Sequence, residues 1–376
     1  MIRRWLRFRL RTMLALVALA AVVLSVREQA DRGSTRYWSR VVGRDSAAYK
    51  RWEAARSLAV AFEADARVAV AALIRSLRDP SDLVRRTSAA GLSRFPAEAE
   101  RIIPALCEAI RHRDESTSLA ALGTIAQLND LVPGSRFAAI PSLMALLDDP
   151  RPRVRLRAAA VLGDLGMARR ISGRVARDLA NPSAAIRLEA VRTLRGLGPD
   201  ACRDEWRSLM PLRKDADGEI LVEVATAIRP THPIEAMMAL ARASGIPDNR
   251  VSTAAREAIF DIGVTANVAS ALAAMVDGTV LRDRLGAMRA LNQIAAWRPL
   301  NPTEPGTVEV VSSMARALDD PDESIRLEAA SSLGSVGVGS QKAADAMARR
   351  LTFEPDPRAR RLLDSGLRKL RPRPAP

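Results

Sequence analysis

One stretch of this chain, written several times with variation, limits what it can fold into. Residues 149–166 read DPRPRVRLRAAAVLGDLG: an Asp-Pro turn, apolar residues at Val154, Leu156, Ala159, Val161 and Leu162, then Gly166. That spacing is the apolar stripe of a helix opened by a turn signal and closed by glycine. Acidic or Asn turn residues recur at Asp45, Asp79, Asp114, Asp149, Asn181, Asp215, Asp248, Asp277, Asp320 and Glu354, at intervals of 34, 35, 35, 32, 34, 33, 29, 43 and 34. Two helical patterns per interval predict an all-α chain, an α-solenoid of stacked antiparallel helix pairs.

The first helix of each interval has the stronger signature. Val154-Arg155-Leu156, Ile186-Arg187-Leu188 and Ile325-Arg326-Leu327 are each followed by alanine (Ala159, Ala190, Ala329) and then leucine (Leu162, Leu194, Leu333). Small residues let helices approach, and leucine fills the space between layers. Gly91, Gly123, Gly166, Gly198, Gly263 and Gly337 fall near the ends of first helices, where left-handed caps are expected. Residues 45–371 are expected to hold about nine helix pairs and a terminal helix, with 372–376 as a Pro/Arg tail. The intervals of 29 and 43 mark a shifted unit, its surplus falling in the proline-rich segment 297–306.

Charge sits at the ends. The net charge is +15, yet residues 1–44 contribute +8 and residues 356–376 contribute +5, which leaves the body close to neutral. With aromatics at 3%, the body lacks the charge and the stacking surface that nucleic acid needs, so nucleic acid is disfavoured as a partner. Residues 1–12 form a basic n-region, and 13–26 carry no charge, with Met13 to Leu24 apolar without a break. That pattern predicts one N-terminal hydrophobic helix, either a single-pass transmembrane anchor or the core of a signal peptide, followed by a tether over 27–44. The expected placement is the cytoplasmic membrane, amino terminus inside and body outside; the alternative is secretion after cleavage.

Cys107 and Cys202 have no metal-ligand spacing and lie about three units apart, on the order of 25–30 Å, so they are expected to be unpaired buried residues.

The segments LLDDPRPRVRLRAAAVLGDLG and ALDDPDESIRLEAASSLGSVG resemble HEAT repeats, particularly the bacterial class grouped with phycobilisome-lyase-like HEAT proteins. The resemblance covers roughly residues 45–371. It implies a platform for unknown protein partners, held on a concave face built from second helices. It also implies a structural ladder bridging adjacent repeats, onto which Asp79/Arg85, Asp149/Arg155, Asn181/Arg187, Asp320/Arg326 and Glu354/Arg360 map. The turn carboxylates are further expected to cap the first helices. Arg358, Arg360, Arg361, Arg368, Lys369 and Arg371 form a candidate basic patch, read either as a solvated cap or as a site for an anionic polymer or lipid.

No catalytic, cofactor-binding or metal site is expected. His112 and His232 are the two histidines, and neither adjoins Glu, so the His-Glu pairs of HEAT-type deoxyhypusine hydroxylases are missing. HExxH, P-loop and GxSxG motifs are absent too. The function expected is a membrane-tethered interaction scaffold without activity of its own. The alternatives are a lyase-like or hydroxylase-like enzyme or its accessory subunit, and an anionic-polymer binder.

Overall fold

The structure is a computed structural model, and the residues it describes are 34–61, 65–111, 114–132, 138–262, 265–297, 300–301 and 303–370. Among them the regular elements are helices, in two compact units divided between Met167 and Ala168.

The first unit holds α1 (Thr35–Arg44), α2 (Ala48–Leu58), α3 (Ala66–Ser76), α4 (Asp82–Gly91), α5 (Ala99–Ile110), α6 (Glu115–Leu131), α7 (Ile140–Leu146) and α8 (Pro152–Asp164). First helices α2, α4, α6 and α8 stack in order, while α1 and α3 pack together on the second-helix side. Each first helix sinks its apolar stripe between its neighbours: Val84 and Ala89 of α4, Leu122 and Ile125 of α6, and Val154, Ala159 and Leu162 of α8 are all fully buried. Burial on this scale contributes about 1.5–3 kcal/mol for each large side chain, and neighbouring copies supply it.

The second unit holds α9 (Ala168–Ala176), α10 (Ala184–Gly196), the short α11 (Pro199–Asp204) and α12 (Trp206–Leu209), α13 (Gly218–Ile228), α14 (Pro233–Ser244) and α15 (Asn249–Ile262). It continues with α16 (Ala266–Val276), α17 (Leu281–Trp297), α18 (Pro305–Ala317), α19 (Glu323–Val336), α20 (Gln341–Phe353) and α21 (Pro357–Leu370). First helices α10, α13, α15, α17, α19 and α21 stack in order. One second helix is broken into α11, α12 and a 3-10 turn over Met210–Lys214, a segment that carries Pro199 and Pro211. The long interval before Asp320 is absorbed partly by helix, since α17 runs for 17 residues.

Three expectations need correction. Thr35–Arg44, assigned to a tether, is a helix capped by Ser34, whose hydroxyl accepts the Tyr37 N–H at 3.2 Å. The single-pass membrane placement is overturned among the described residues, where no helix is long and apolar enough to cross a membrane. Helices α6 and α17, at 17 residues each, span roughly 25 Å at about 1.5 Å per residue, against a hydrocarbon core of about 30 Å. Residues 1–12 and 13–26, on which that placement relied, lie outside the described residues. The glycine caps divide: Gly166 and Gly198 have positive φ, and at Gly166 the next N–H, of Met167, reaches back to the Leu162 carbonyl at 3.0 Å. Gly91, Gly123 and Gly337 do not take the left-handed conformation. Gly91 is needed for another reason, because a Cβ there would stand 2.8 Å from that of Ala59. Gly263 lies outside the described residues.

Cys107 and Cys202 are buried free thiols, and burial pushes both thiol pKa values up.

Candidate interaction surface

The turn residues and the ladder arginines form one repeated device. The turn side chain first closes its own loop: Asp79 Oδ1 accepts the Ser81 N–H at 2.8 Å, Asp215 that of Asp217 at 2.9 Å, Asp320 that of Asp322 at 2.9 Å, and Asn181 that of Ser183 at 3.0 Å. The helix cap itself then falls two residues later at several turns, as at Asp217 and Asp322, rather than on the turn residue. Asp114 is its own cap, accepting from the N–H groups of Ser116 and Thr117.

The arginine six residues after the turn holds the loop from inside. Arg85 Nη1 donates to the carbonyls of Asp79 and Pro80 at 2.7 and 2.9 Å; Arg187 and Arg326 repeat the pattern on Asn181/Pro182 and Asp320/Pro321. Arg155 donates to the Asp149 carbonyl at 2.5 Å. The remaining guanidinium nitrogens reach the carboxylate of the next turn. Arg51 makes a bidentate pair with Asp79 at 2.7 and 3.0 Å, Arg85 meets Asp114 at 3.0 Å, and Arg187 makes a bidentate pair with Asp215 at 2.9 and 3.0 Å. Arg284 reaches Asp320, and Arg326 lies 3.6 Å from Glu354, which also takes Arg350 at 2.7 Å. Two side-chain bonds in a fixed fork specify distance and register between repeats, which a lysine would not.

Within one repeat the arginine thus bonds the turn carbonyls, and charge pairing joins consecutive repeats. Arg51, Arg284 and Arg350 were not among the residues singled out from sequence. Arg51 follows Asp45 by the same six residues, so its signal was present; Arg284 was hidden by the shifted interval. Asp149 shows how the device tolerates a missing member. Six residues after Asp114 stands Ala120, and Asp149 is held instead by Arg151, which forks onto both carboxylate oxygens at 2.8 Å and reaches Ser118 at 3.1 Å. In the second unit Arg242, nearly buried, pairs with Asp283 at 2.8 Å, a contact that no spacing rule announced.

These contacts fix the protonation of the turns. At Asp79 burial raises the pKa, but the Arg51 guanidinium and the Ser81 N–H outweigh it, and the carboxyl is held below its usual range. Asp215 and Asp320 are lowered in the same way, burial opposing and the ladder arginine prevailing. At Asp149 the Arg151 bond is the leading cause of the lowering. Asp114 falls to about 2, with burial outweighed by Thr117, Arg85 and Ser116.

A group whose folded pKa is depressed stabilises the fold fully above its unfolded value of about 3.9, and that contribution is lost as pH falls through the folded value. The Asp114 contribution is therefore expected to vanish between about pH 4 and pH 2. Urea midpoints of the wild type and of Asp114→Asn should differ by a constant amount above pH ~5 and converge near pH ~2. An undiminished difference at the acid end would show that Asp114 acts through something other than its charge.

The surface left by stacking differs from this interior ladder. On the second-helix side of the first unit, Arg78 pairs with Glu108 at 2.6 Å, and Glu98 takes Arg101 at 2.6 Å and Arg67 at 3.5 Å. In the second unit, Arg316 pairs with Asp277 at 2.6 Å, and Lys342 donates to Ser312 at 2.7 Å. Exposed pairs of this kind contribute only about 0–1 kcal/mol each, so they leave the face polar and open to exchange for a partner's groups. On α21 the residues Ala359, Leu363, Gly366 and Leu370 are buried, while Arg358, Arg360, Arg361, Arg368 and Lys369 are exposed. Arg368 is paired with Asp364 at 2.6 Å. Arg371 lies outside the described residues. Among the described residues no group of three or more His, Cys, Asp or Glu side chains is placed to hold a metal ion.

Residues 103–173 match the sequence pattern of the family described as HEAT repeats. No curated protein sequence matches the chain. Among solved structures it is similar to the karyopherin Kap121p bound to Nup53p, with a TM-score of 0.64 at 13% identity, covering 89% of this chain and 41% of that one. It is also similar to Kap121p bound to RanGTP, with a TM-score of 0.63 at 14% identity over 94% of this chain and 42% of that one. Importin beta, crystallised in an ammonium sulfate condition, gives 0.54 at 14% identity over 93% and 53%. The chain thus spans between two-fifths and about half the length of these structures, and at such identities the likeness establishes the fold alone, a stack of helix pairs.

Proposed function

We propose that this chain is a protein-interaction scaffold with no catalysis of its own. The observation that carries the reading is the division of labour within each unit. Apolar faces and the buried charges of the ladder are consumed in stacking, while the second helices leave a polar surface with weak, replaceable ion pairs at successive repeats. A surface built one repeat at a time suits a long partner better than a small substrate. Fold likeness supports it in kind, since the similar structures include Kap121p with Nup53p and with RanGTP bound. The finer likeness to phycobilisome-lyase-like HEAT proteins rests on the turn, the Val/Ile-Arg-Leu step and the alanine block, and we take it as descent without the lyase chemistry.

The test is cross-linking of the tagged full chain in cells that express it, followed by titration of each recovered protein, purified, against the chain by calorimetry. A saturable complex of defined stoichiometry is the expected result. Recovery of no protein that binds after purification, or turnover of a recovered small molecule, would overturn the reading. An anionic polymer held by α21 is a second reading, favoured by the exposed basic side chains of that helix. It requires binding that disappears when residues 356–376 are removed and falls steeply with salt.

A further inference from the structure

In the second unit the stack of first helices is at its thinnest between α15 and α17. The thinning has a cause in the backbone. Gly286 of α17 and Gly245, just after α14, let those two helices meet with almost no side chain between them: a Cβ at Gly286 would stand 1.8 Å from the Ala241 carbonyl oxygen, and one at Gly245 2.2 Å from that of Arg282. Helix α17 is thereby drawn onto α14. The ladder also lapses here, since Ala254 occupies the position six residues after Asp248 where other first helices carry arginine. What remains between α15 and α17 is a groove in two connected parts.

The two parts have different chemistry. One, of about 460 Å³, is lined by Ser244, Asn249, Arg256, Arg289, Asn292 and Gln293, among others, with no carboxylate in its wall. The other, of about 570 Å³, shares Arg256 and Gln293 and adds Thr253, Glu257 and the ring of Phe260, which is 65% exposed. Arg256 Nη2 is steadied by Thr253 Oγ1 at 2.9 Å, and Arg289 Nη1 by the Ser244 carbonyl at 3.0 Å, with its Nε 3.2 Å from Glu328. A guanidinium has five N–H donors, so both retain donors beyond these bonds. Carboxamides carry a donor and an acceptor each, the complement of a peptide unit. From Asn249 to Phe260 the groove follows about 17 Å of helix, the length of roughly five extended residues.

We propose that this groove binds an extended peptide of about five residues, with a carboxylate side chain against Arg256 and Arg289 and an apolar side chain against Phe260. The inference rests on the scaffold reading and places one contact on the first-helix side, away from the surface that the resemblance to HEAT repeats implied.

The test is fluorescence anisotropy of a fluorescein-labelled Glu-Ser-Glu-Ser-Leu peptide, whose glutamates and leucine share one face when extended, titrated with the full chain. Saturable binding is expected, weakened about tenfold by Arg256→Glu, about 1.4 kcal/mol, and about fivefold by Phe260→Ala. Both side chains are exposed, so circular dichroism should show an unchanged fold; Arg289→Gln, which also loses the Glu328 contact, serves as a second charge variant. A lysine–leucine peptide should not bind. Absence of binding, equal binding of an all-glutamate peptide, or indifference to Arg256→Glu and Phe260→Ala would each overturn the proposal. A cellular partner that binds both variants with undiminished affinity would leave the scaffold standing and remove this groove from it.

Discussion

Replacing Gly286 by alanine is expected to destabilise the second unit by about 3 kcal/mol, although alanine is a better helix former than glycine by about 1 kcal/mol. The added methyl would stand 1.8 Å from the Ala241 carbonyl oxygen and 2.8 Å from its carbon. Neither atom belongs to a side chain that can rotate away, so α14 and α17 must separate along their whole crossing. The natural control is Gly196, at the end of α10, where a Cβ would meet nothing within 4 Å. Gly196→Ala should be neutral or stabilising by up to ~1 kcal/mol. Because the chain has two compact units, a single melting midpoint is a poor measure. Hydrogen exchange over residues 233–297 reads the effect directly, with faster exchange in Gly286→Ala and wild-type rates in Gly196→Ala. Matching behaviour of the two variants would mean that α14 and α17 do not touch as described.

Much of the fold was legible because the repeat encodes each requirement locally. Turn residues at nearly constant intervals, alanines where helices cross and leucines between layers are short-range features, and Leu162, Leu194 and Leu333 are all fully buried as their spacing required. What was less legible depends on neighbours. The arginine at Arg85 signals a ladder between adjacent repeats, but that it meets Asp114 while also holding the Asp79 and Pro80 carbonyls of its own turn is not written in the spacing. Arg151 stands in for an arginine missing at Ala120, a repair visible only once the chains of contacts are traced. Glycines misled for the same reason. A glycine near a helix end reads as a left-handed cap, whereas Gly91 is selected by the closeness of Ala59 and Gly286 by that of Ala241. The membrane placement came from the basic residues 1–12 and the apolar run after them, which lie outside the described residues, and no helix among those described is long and apolar enough to cross a membrane. The groove between α15 and α17 was marked in the sequence only as irregular intervals, because a lapse in a repeat announces that something differs without saying what.

The second large effect is expected from Leu333→Asp. Leu333 is fully buried near the C-terminal end of α19, which packs against both α17 and α21. The substitution removes the apolar contact and places an unpaired carboxylate at a fully buried position, a combination expected to cost more than about 4 kcal/mol. In a stack where each pair touches only its neighbours, that cost is borne locally before it is shared. Peptides from α17 to α21 should lose hydrogen-exchange protection first, while those from α2 to α8 keep wild-type rates. Burial raises the pKa of such a carboxyl, so the protonated form is the one the folded state tolerates, and the defect should shrink as pH falls from neutrality toward about 4, the unfolded value, and level off below it. Phe353→Asp is the matched control, since Phe353 is 78% exposed on α20 and should change stability by no more than about 0.5 kcal/mol. If Leu333→Asp instead loosened every helix of both units at once, the stabilising interactions would have to be cooperative across the whole chain. A nearest-neighbour stack would then be the wrong physical description, and a partner surface assembled repeat by repeat would lose its foundation.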